Sequence, residues 1–588
     1  MEVKLSDIVA DFIVELGVKH VFVLQGGAVA HLINSIAKKQ ELSYIAMQHE
    51  QSSAMAADSY SRVFGIGVAI ATSGPGATNL ITGIANAYYD SIPVLYITGN
   101  VASFRQSEKF NVRQYGFQEN NIVDMVKSIT KYAKRLEKPE DILLELNQAI
   151  HIATKDRKGP VLIDIPDDFQ RVNLSKTAIY KDVNKLNMIN IPDIEGEIIA
   201  IYEMIQNSKR PVLVFGAGVE LSGALYLAKK LSRMLNIPVL HTWALKGLYD
   251  FHDKLNFGSF GTNSNRSGNF IVQNADLIIA IGTRLDTHAT GSINTFAREA
   301  KIILNDIDIY EIDKFKILKK NIELSICADA KFVLQSMIDN FNDFEIPNFV
   351  EWIEWCSQKK KLFYPKIQGN FSGVNPYELL QYISRNIKKV KYITADTGAN
   401  LAYVMCAYEE IERQKFITAF NNTPMGYSLP AAIGVSFATD KNEIIFCFAG
   451  DGGLQMNIQE LATVSKHKLP IKIFVFNNYG HAMIKQTQDD WFDSKYEASS
   501  IRNGIPSINF CAIAEAYGIK NVKIQSNEDI FMLDDILKND EPYLIEVVLD
   551  ESLKVYPMLK YGKPIEDSNP LLGRDILKEN MIIKIYEE

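Results

Sequence analysis

Short apolar runs rich in β-formers alternate with helix-like stretches along almost the whole chain. They read HVFVL, GVAIAT, PVLYITG and PVLIDIP, then PVLVFGAG, DLIIAIGT and KIILNDID, then YITADTG, EIIFCFAGDG, IKIFVFNN and YLIEVVLD. A strand that is apolar at every position, not only at alternate ones, has both faces covered, so these runs predict parallel strands with helices packed on either side. The fold class expected is α/β, and 588 residues are too many for one core. Three doubly wound parallel-sheet domains are predicted, over 1–175, 190–345 and 365–550, followed by a Pro- and Gly-bearing arm over 551–588. The segment NFVEWIEWCSQKKKLFYPK reads as the link into the third block. Blocks one and three share a length and a βα rhythm, which predicts a duplicated architecture. Ligands of such sheets sit at the carboxyl ends of the strands, so polar residues just past the apolar runs are the places to search.

Charge and cysteine usage narrow the function. The net charge of −8 is spread through the chain and argues against nucleic acid or an anionic membrane as the main partner. No apolar run reaches spanning length, and MEVKLSDIVADFIVELG is an acidic amphipathic helix pattern, not a signal peptide. Cys327, Cys356, Cys406, Cys447 and Cys511 form no CxxC pair and no zinc spacing, which suits a reducing compartment. The expectation is a cytoplasmic protein acting on small molecules.

One stretch carries a site by itself. In FAGDGGLQMNIQELATVSKHKLPIKIFVFNNYG, Asp451 follows a strand between two glycines, and 24 residues separate Gly452 from Asn477. LQMNIQELATVSKHK reads as one helix and LPIKIFVFNN as the next strand, a βαβ unit that returns the second strand beside the first. Asp451 and Asn478 then stand at neighbouring strand ends, with the carbonyl of Gly480 within reach. One carboxylate, one amide oxygen and one backbone oxygen suit Mg²⁺ bridging to a diphosphate. Gly450, Gly452 and Gly453 let the backbone approach phosphates, and a helix start at 453–456 supplies amides. Read separately, GDGG is a tight turn and NN a strand terminator; their spacing joins them into one site. In the middle block PVLVFGAGVELSG is a strand–Gly–helix pattern, alone a weak dinucleotide fingerprint.

GDG followed 24 residues later by NN resembles the diphosphate–Mg²⁺ motif of thiamine diphosphate enzymes. Nearly the whole chain resembles the large subunit of acetohydroxyacid (acetolactate) synthase, through VFVLQGG, QHEQSSAMAADSYSR, ATSGPGATNLITGIANAYYDSIPVLYITG, GFQENNIVDMVKSITKY, GPVLIDIP, PMGYSLPAAIG and GDGGLQMNIQELAT. The resemblance implies decarboxylation of a 2-oxo acid such as pyruvate and carboligation of the acyl unit to a carbonyl acceptor. It implies that Glu50 stands beside the cofactor's pyrimidine and promotes loss of the thiazolium C2 proton. Ser73, Pro75 and Asn79 would line the pyrimidine, Met425 with Gly426 would lie beneath the bent cofactor, and Gln118 and Phe117 would approach the reacting carbon. Gln118 is then a candidate oxyanion donor. It further implies a mostly structural FAD, contacted by Gly216, Gly218, Gly258, Gly282, Arg284, Asp286 and Asp306. Because the family draws Glu50 and Asp451 from different subunits, a homodimer or homotetramer is expected.

Departures from the synthases concern the second substrate. The acceptor-binding arginine of FDDR corresponds to His288 in LDTH, and the size-selecting tryptophan to Thr487. MHG of the flavin-facing loop is Ser259-Phe260-Gly261, the Gln-His pair of the phosphate segment is Ala399-Asn400, and Pro-Gly-Gly is Gln25-Gly26-Gly27. Guanidinium clamps a carboxylate bidentately and stays charged, whereas imidazole is mostly neutral near pH 7. The acceptor thus stays open between pyruvate and a bulkier keto sugar nucleotide. Simple decarboxylation and a flavin-linked pyruvate oxidase are the remaining readings.

Overall fold

The computed structural model describes residues 2–175, 192–341, 344–367, 371–387 and 389–586. The segment 176–191, which contains the boundary expected near 190, lies outside the described residues. Three six-stranded sheets form the architecture. All their pairings are parallel.

The first sheet runs, edge to edge, through Ser43–Ala46, His20–Leu24, Gly67–Ala71, Val94–Asn100, Val161–Pro166 and Tyr132–Arg135. The third runs through Lys415–Ile417, Tyr392–Ala395, Ile445–Gly450, Ile471–Asn477, Tyr543–Val548 and Lys520–Ile524. With strands counted in chain order inside each unit, both follow 2-1-3-4-6-5, so the shared rhythm of the outer blocks is a shared topology. The middle sheet follows 3-2-1-4-5-6 from Asn256–Ser259 to Leu324–Cys327, the order of dinucleotide-binding doubly wound sheets. Its chain reverses direction between Pro211–Phe215 and Leu277–Ile281, and in the outer sheets the reversal lies beside the first and third strands.

Burial explains the unbroken apolar runs. Gly67–Ala71, Val94–Asn100 and Ile471–Asn477 are buried at every residue. The first and third units pack through two helices, Glu50–Phe64 and Ser428–Ala438, in unusually close contact. A Cβ on Gly434 would come within 2.1 Å of the Ala56 carbonyl oxygen, and Ser59 Oγ donates to Ala431 O at 2.9 Å.

Two elements differ from expectation. The stretch expected as one helix over LQMNIQELATVSKHK breaks at Asn457 into helices Asp451–Met456 and Leu461–His467 with a 3-10 turn between them. Asn457 leaves helical geometry because its amide reaches across to Gly426 O at 2.8 Å and accepts from Ser52 Oγ at 2.9 Å. The segment read as a link contains helix Val350–Leu362, which packs on the middle unit, with Trp352 Nε1 donating to Pro211 O at 3.0 Å. The terminal arm also lies on that unit: Asn269 Nδ2 donates to Ile565 O at 2.9 Å, and Arg298 pairs with Glu566 at 2.7 Å. No described helix is long and apolar enough to cross a membrane.

Candidate active site

The strand Ile445–Gly450 delivers Asp451 to the start of a helix that begins two residues earlier than the sequence pattern indicates. Asp451 Oδ1 accepts the Gly452 N–H at 2.8 Å, and Oδ2 accepts the Gly480 N–H at 2.9 Å. Burial pushes its carboxyl up to about 6 in spite of these bonds. The neighbouring strand ends at Asn477, and Tyr479 then adopts a left-handed φ of 55°. Asn478 is 7% exposed, and its Oδ1 is buried with no hydrogen-bond partner. Among the described residues there is no cluster of three His, Cys, Asp or Glu side chains fit to hold a metal. A buried amide oxygen without a donor, at the strand end next to a half-buried carboxylate, instead fits a hard cation that completes its shell with backbone, water or phosphate oxygens.

The same strand ends gather the other third-domain residues. Gly450 and Gly398 both approach Asn400 Oδ1, to 3.3 Å from where a Cβ would sit, with Ala399 next in the chain. A Cβ on Gly452 would lie 3.2 Å from Met425 Cε and 2.8 Å from His481 Nε2. Gly426 has φ 86° and donates its N–H to both oxygens of Asp396 at 3.0 Å. Asp396 is fully buried, also accepts from Thr397 N and Ser428 Oγ, and is pushed up to about 6 by burial. Gly453 is also held against it, 3.0 Å from a Cβ to Asp396 Oδ2. Asp396 and His481 join the site although neither stands out in the sequence. The strand-end rule that found Asp451 would also find Asp396, which follows YITA; His481 lies one residue past the NNYG turn.

The first unit assembles a second group. Glu50 opens the helix Glu50–Phe64, is 5% exposed and accepts from Asn79 Nδ2 at 3.0 Å. Its Oε1 faces Gly76, where a Cβ would stand 3.1 Å away. Ser73 is buried just past the strand Gly67–Ala71, and Pro75 begins the short helix Pro75–Asn79. Gln118, with a left-handed φ of 62°, packs its backbone on Gly74, while Phe117 is 87% exposed. Glu119 pins that loop by accepting from Ser107, Tyr115 and Gly116 N–H groups at 2.6–3.1 Å. No hydrogen bond among the described residues joins Glu50, Asn79 or Gln118 to Asp451, Asn478 or Met425 in the single chain. A buried charge network nevertheless ties the two units. Arg62 Nε donates to Asp58 at 2.8 Å and its Nη2 to Asp90 at 2.6 Å, Tyr427 Oη donates to Asp58, and Asp90 accepts the Phe420 and Asn421 N–H groups at 3.0 and 3.1 Å.

A third group surrounds a cavity of about 940 Å³ where the three units meet. Gly218, Gly282, Arg284, Asp286, Asp306, Phe260 and His288 line it, at the chain reversal of the middle sheet. Gly216, Gly258 and Ser259 do not. Gly216 serves packing instead: a Cβ there would strike Gly282 O at 2.4 Å. The volume lies at the upper end of the roughly 300–1,000 Å³ range of cofactor pockets, so a dinucleotide-sized group fits. Arg284 is engaged by Asp286 at 3.1 Å, Glu311 at 3.6 Å and Asn421 Oδ1 at 2.6 Å. His288 is exposed and opens onto the cavity, with the Trp243 ring edge-on at 4.5 Å. Partial desolvation by the cavity wall holds its pKa below the usual value, which favours the neutral imidazole near pH 7. Thr487 is not brought to this wall: it lies on the exposed side of helix Ala482–Trp491 and donates to Met483 O at 3.1 Å.

Comparison with known proteins agrees with this division. Residues 3–125 match the thiamine pyrophosphate enzyme N-terminal TPP binding domain, 198–337 the central domain, and 396–547 the C-terminal TPP binding domain. The acetolactate synthase large subunit of Cyanidium caldarium is 34% identical over 94% of either chain. The probable acetolactate synthase large subunit of Methanocaldococcus jannaschii is 34% identical over 93% of this chain and 92% of its own. The acetolactate synthase large subunit of Lactococcus lactis subsp. lactis is 30% identical over 98% of this chain and 97% of its own.

Proposed function

The chain belongs to the thiamine pyrophosphate enzymes of the acetolactate synthase large-subunit family, and from that premise we propose that it decarboxylates pyruvate and ligates the acyl unit to a carbonyl acceptor. Thiamine diphosphate, when bound, supplies the carbon nucleophile and the electron sink for this chemistry. The observation that carries the site assignment is the unpartnered Asn478 Oδ1 beside Asp451. We assign Asp451, Asn478 and the Gly480 carbonyl to Mg²⁺, with Gly450, Gly452, Gly453, Ala399 and Asn400 along the diphosphate and Met425–Gly426 under the rings.

Glu50 is assigned as the catalytic carboxylate, held by Asn79 and bordered by Ser73, Pro75 and Gly76. Gln118 is assigned to the oxygen that gains charge on the substrate, with Phe117 beside it. Within one chain no hydrogen bond among the described residues joins this group to the Asp451 group. Both are flanked by exposed apolar side chains, Phe104, Phe110, Tyr115 and Phe117 on one and Met456, Ile484, Trp491 and Phe492 on the other. A complete site formed between two copies buries both patches, which favours a homodimer or a larger homo-oligomer. The central cavity suits FAD, with Gly218, Gly282, Arg284, Asp286 and Asp306 as its contacts.

A second reading concerns the acceptor alone. His288 is neutral and Arg284 is already paired, so this wall presents no free guanidinium to a carboxylate. That favours an acceptor whose carbonyl bears no adjacent carboxylate, such as the keto sugar of a sugar nucleotide, over a second 2-oxo acid. Offering pyruvate, 2-oxobutyrate and a keto sugar together and identifying products by mass spectrometry separates the two: exclusive acetolactate would overturn the keto sugar reading, and a sugar adduct would support it.

A further inference from the structure

Behind the metal-side turn lies a carboxylate that no catalytic role uses. Glu546, on the strand Tyr543–Val548, is fully buried and accepts from Asn477 Nδ2 at 2.9 Å. Lys523, its register partner on the adjacent strand, stands 3.0 Å from the same Oε1. Asn477 is 2% exposed, and its Oδ1 accepts the Tyr479 N–H at 3.2 Å.

An ionised carboxylate only accepts hydrogen bonds, so it admits one orientation of the Asn477 amide: nitrogen towards Glu546 and oxygen towards Tyr479. The Tyr479 N–H bond supports a residue in the left-handed region, where a non-glycine side chain is strained. That turn delivers Asn478 Oδ1 and, through the Gly480 N–H, locks onto Asp451 Oδ2. We propose that Glu546, acting through Asn477, is a positioning residue that sets the geometry of the Asp451–Asn478 metal site. The inference rests on the Mg²⁺ assignment above.

The test is equilibrium dialysis of thiamine diphosphate against the full-length protein at graded Mg²⁺, with thermal unfolding to check each variant's fold. Glu546→Leu removes the acceptor, and the half-saturating Mg²⁺ concentration should rise about tenfold, the scale of one charged hydrogen bond. Asn477→Asp alone sets two carboxylates face to face and should weaken retention at least as much. Combined with Glu546→Gln, it restores a donor–acceptor pair with the same total charge, and retention should return to within about threefold of wild type. An unchanged Mg²⁺ titration in folded Glu546→Leu, or a double variant no better than Asn477→Asp, would overturn the proposal; the second comparison decides if the leucine variant does not fold. Wild-type protein that retains the cofactor undiminished in EDTA would overturn the metal assignment itself, and this inference with it.

Discussion

Replacing Glu50 by glutamine separates what the side chain does for the fold from what it does for the reaction. Its helix does not need the carboxylate for capping, because His49 Nδ1 accepts the Gln51 N–H at 3.0 Å. Glutamine has nearly the same volume and still offers an oxygen to Asn79 Nδ2, now 3.0 Å from the Glu50 carboxylate. Exchanging a charged acceptor for a neutral one there costs about 1 kcal/mol. Loss of a positioned acid–base group costs on the order of 10²–10⁴ in rate, or about 3–5 kcal/mol in barrier. The two penalties differ enough to be read apart. The assay is rapid-quench NMR of hydrogen–deuterium exchange at C2 of bound thiamine diphosphate, alongside dialysis of the cofactor. The variant should keep the cofactor and its fold while exchange slows by at least about a hundredfold. Exchange at the wild-type rate would refute the role given to Glu50.

Other perturbations follow from the same geometry. His288→Arg puts a permanent bidentate cation on the cavity wall and should shift acceptor preference towards 2-oxo acids by about tenfold or more in a competition assay; an unchanged product ratio removes His288 from acceptor recognition. Tyr427→Phe withdraws a hydrogen bond from the fully buried Asp58 carboxylate and should cost about 1–3 kcal/mol in urea unfolding, so an unaltered midpoint contradicts the network's structural role. Burial beside Tyr60 and Phe437 pushes His20 down to about 4. Its imidazole takes up a proton more readily in the unfolded chain, so the stability it contributes is complete above about pH 6.5 and is lost as pH falls towards 4. Unfolding at pH 7 and pH 5 should therefore show a smaller acid loss in His20→Gln than in wild type, and equal losses would count against this.

The parallel-sheet architecture was legible because uniformly apolar strands and helical spacers are local patterns, as IKIFVFN shows by being buried throughout. The Asp451–Asn478 pairing was legible because a βαβ unit fixes which strand ends become neighbours. What escaped depends on contacts distant in sequence. Asn457 breaks its helix for partners at Gly426 and Ser52, and Asp90 looks like a turn residue until it receives Arg62 and the 420–421 amides. Glu546 sits in an apolar run, and its partners are set only by strand register. Gly216 matched a fingerprint by spacing, yet its lack of a side chain serves the close approach of Gly282. Resemblance groups Thr487 with His288, but one chain places it on an exposed helix side away from the cavity.

Decarboxylation coupled to carbon–carbon ligation is tested most directly by isotope tracing of the products. Wild-type protein given ¹³C-pyruvate, thiamine diphosphate and Mg²⁺ should release one labelled CO₂ for each ligated product that carries the labelled two-carbon unit. Release of CO₂ with only acetaldehyde or acetate, and no ligated product from any carbonyl acceptor offered, would contradict it.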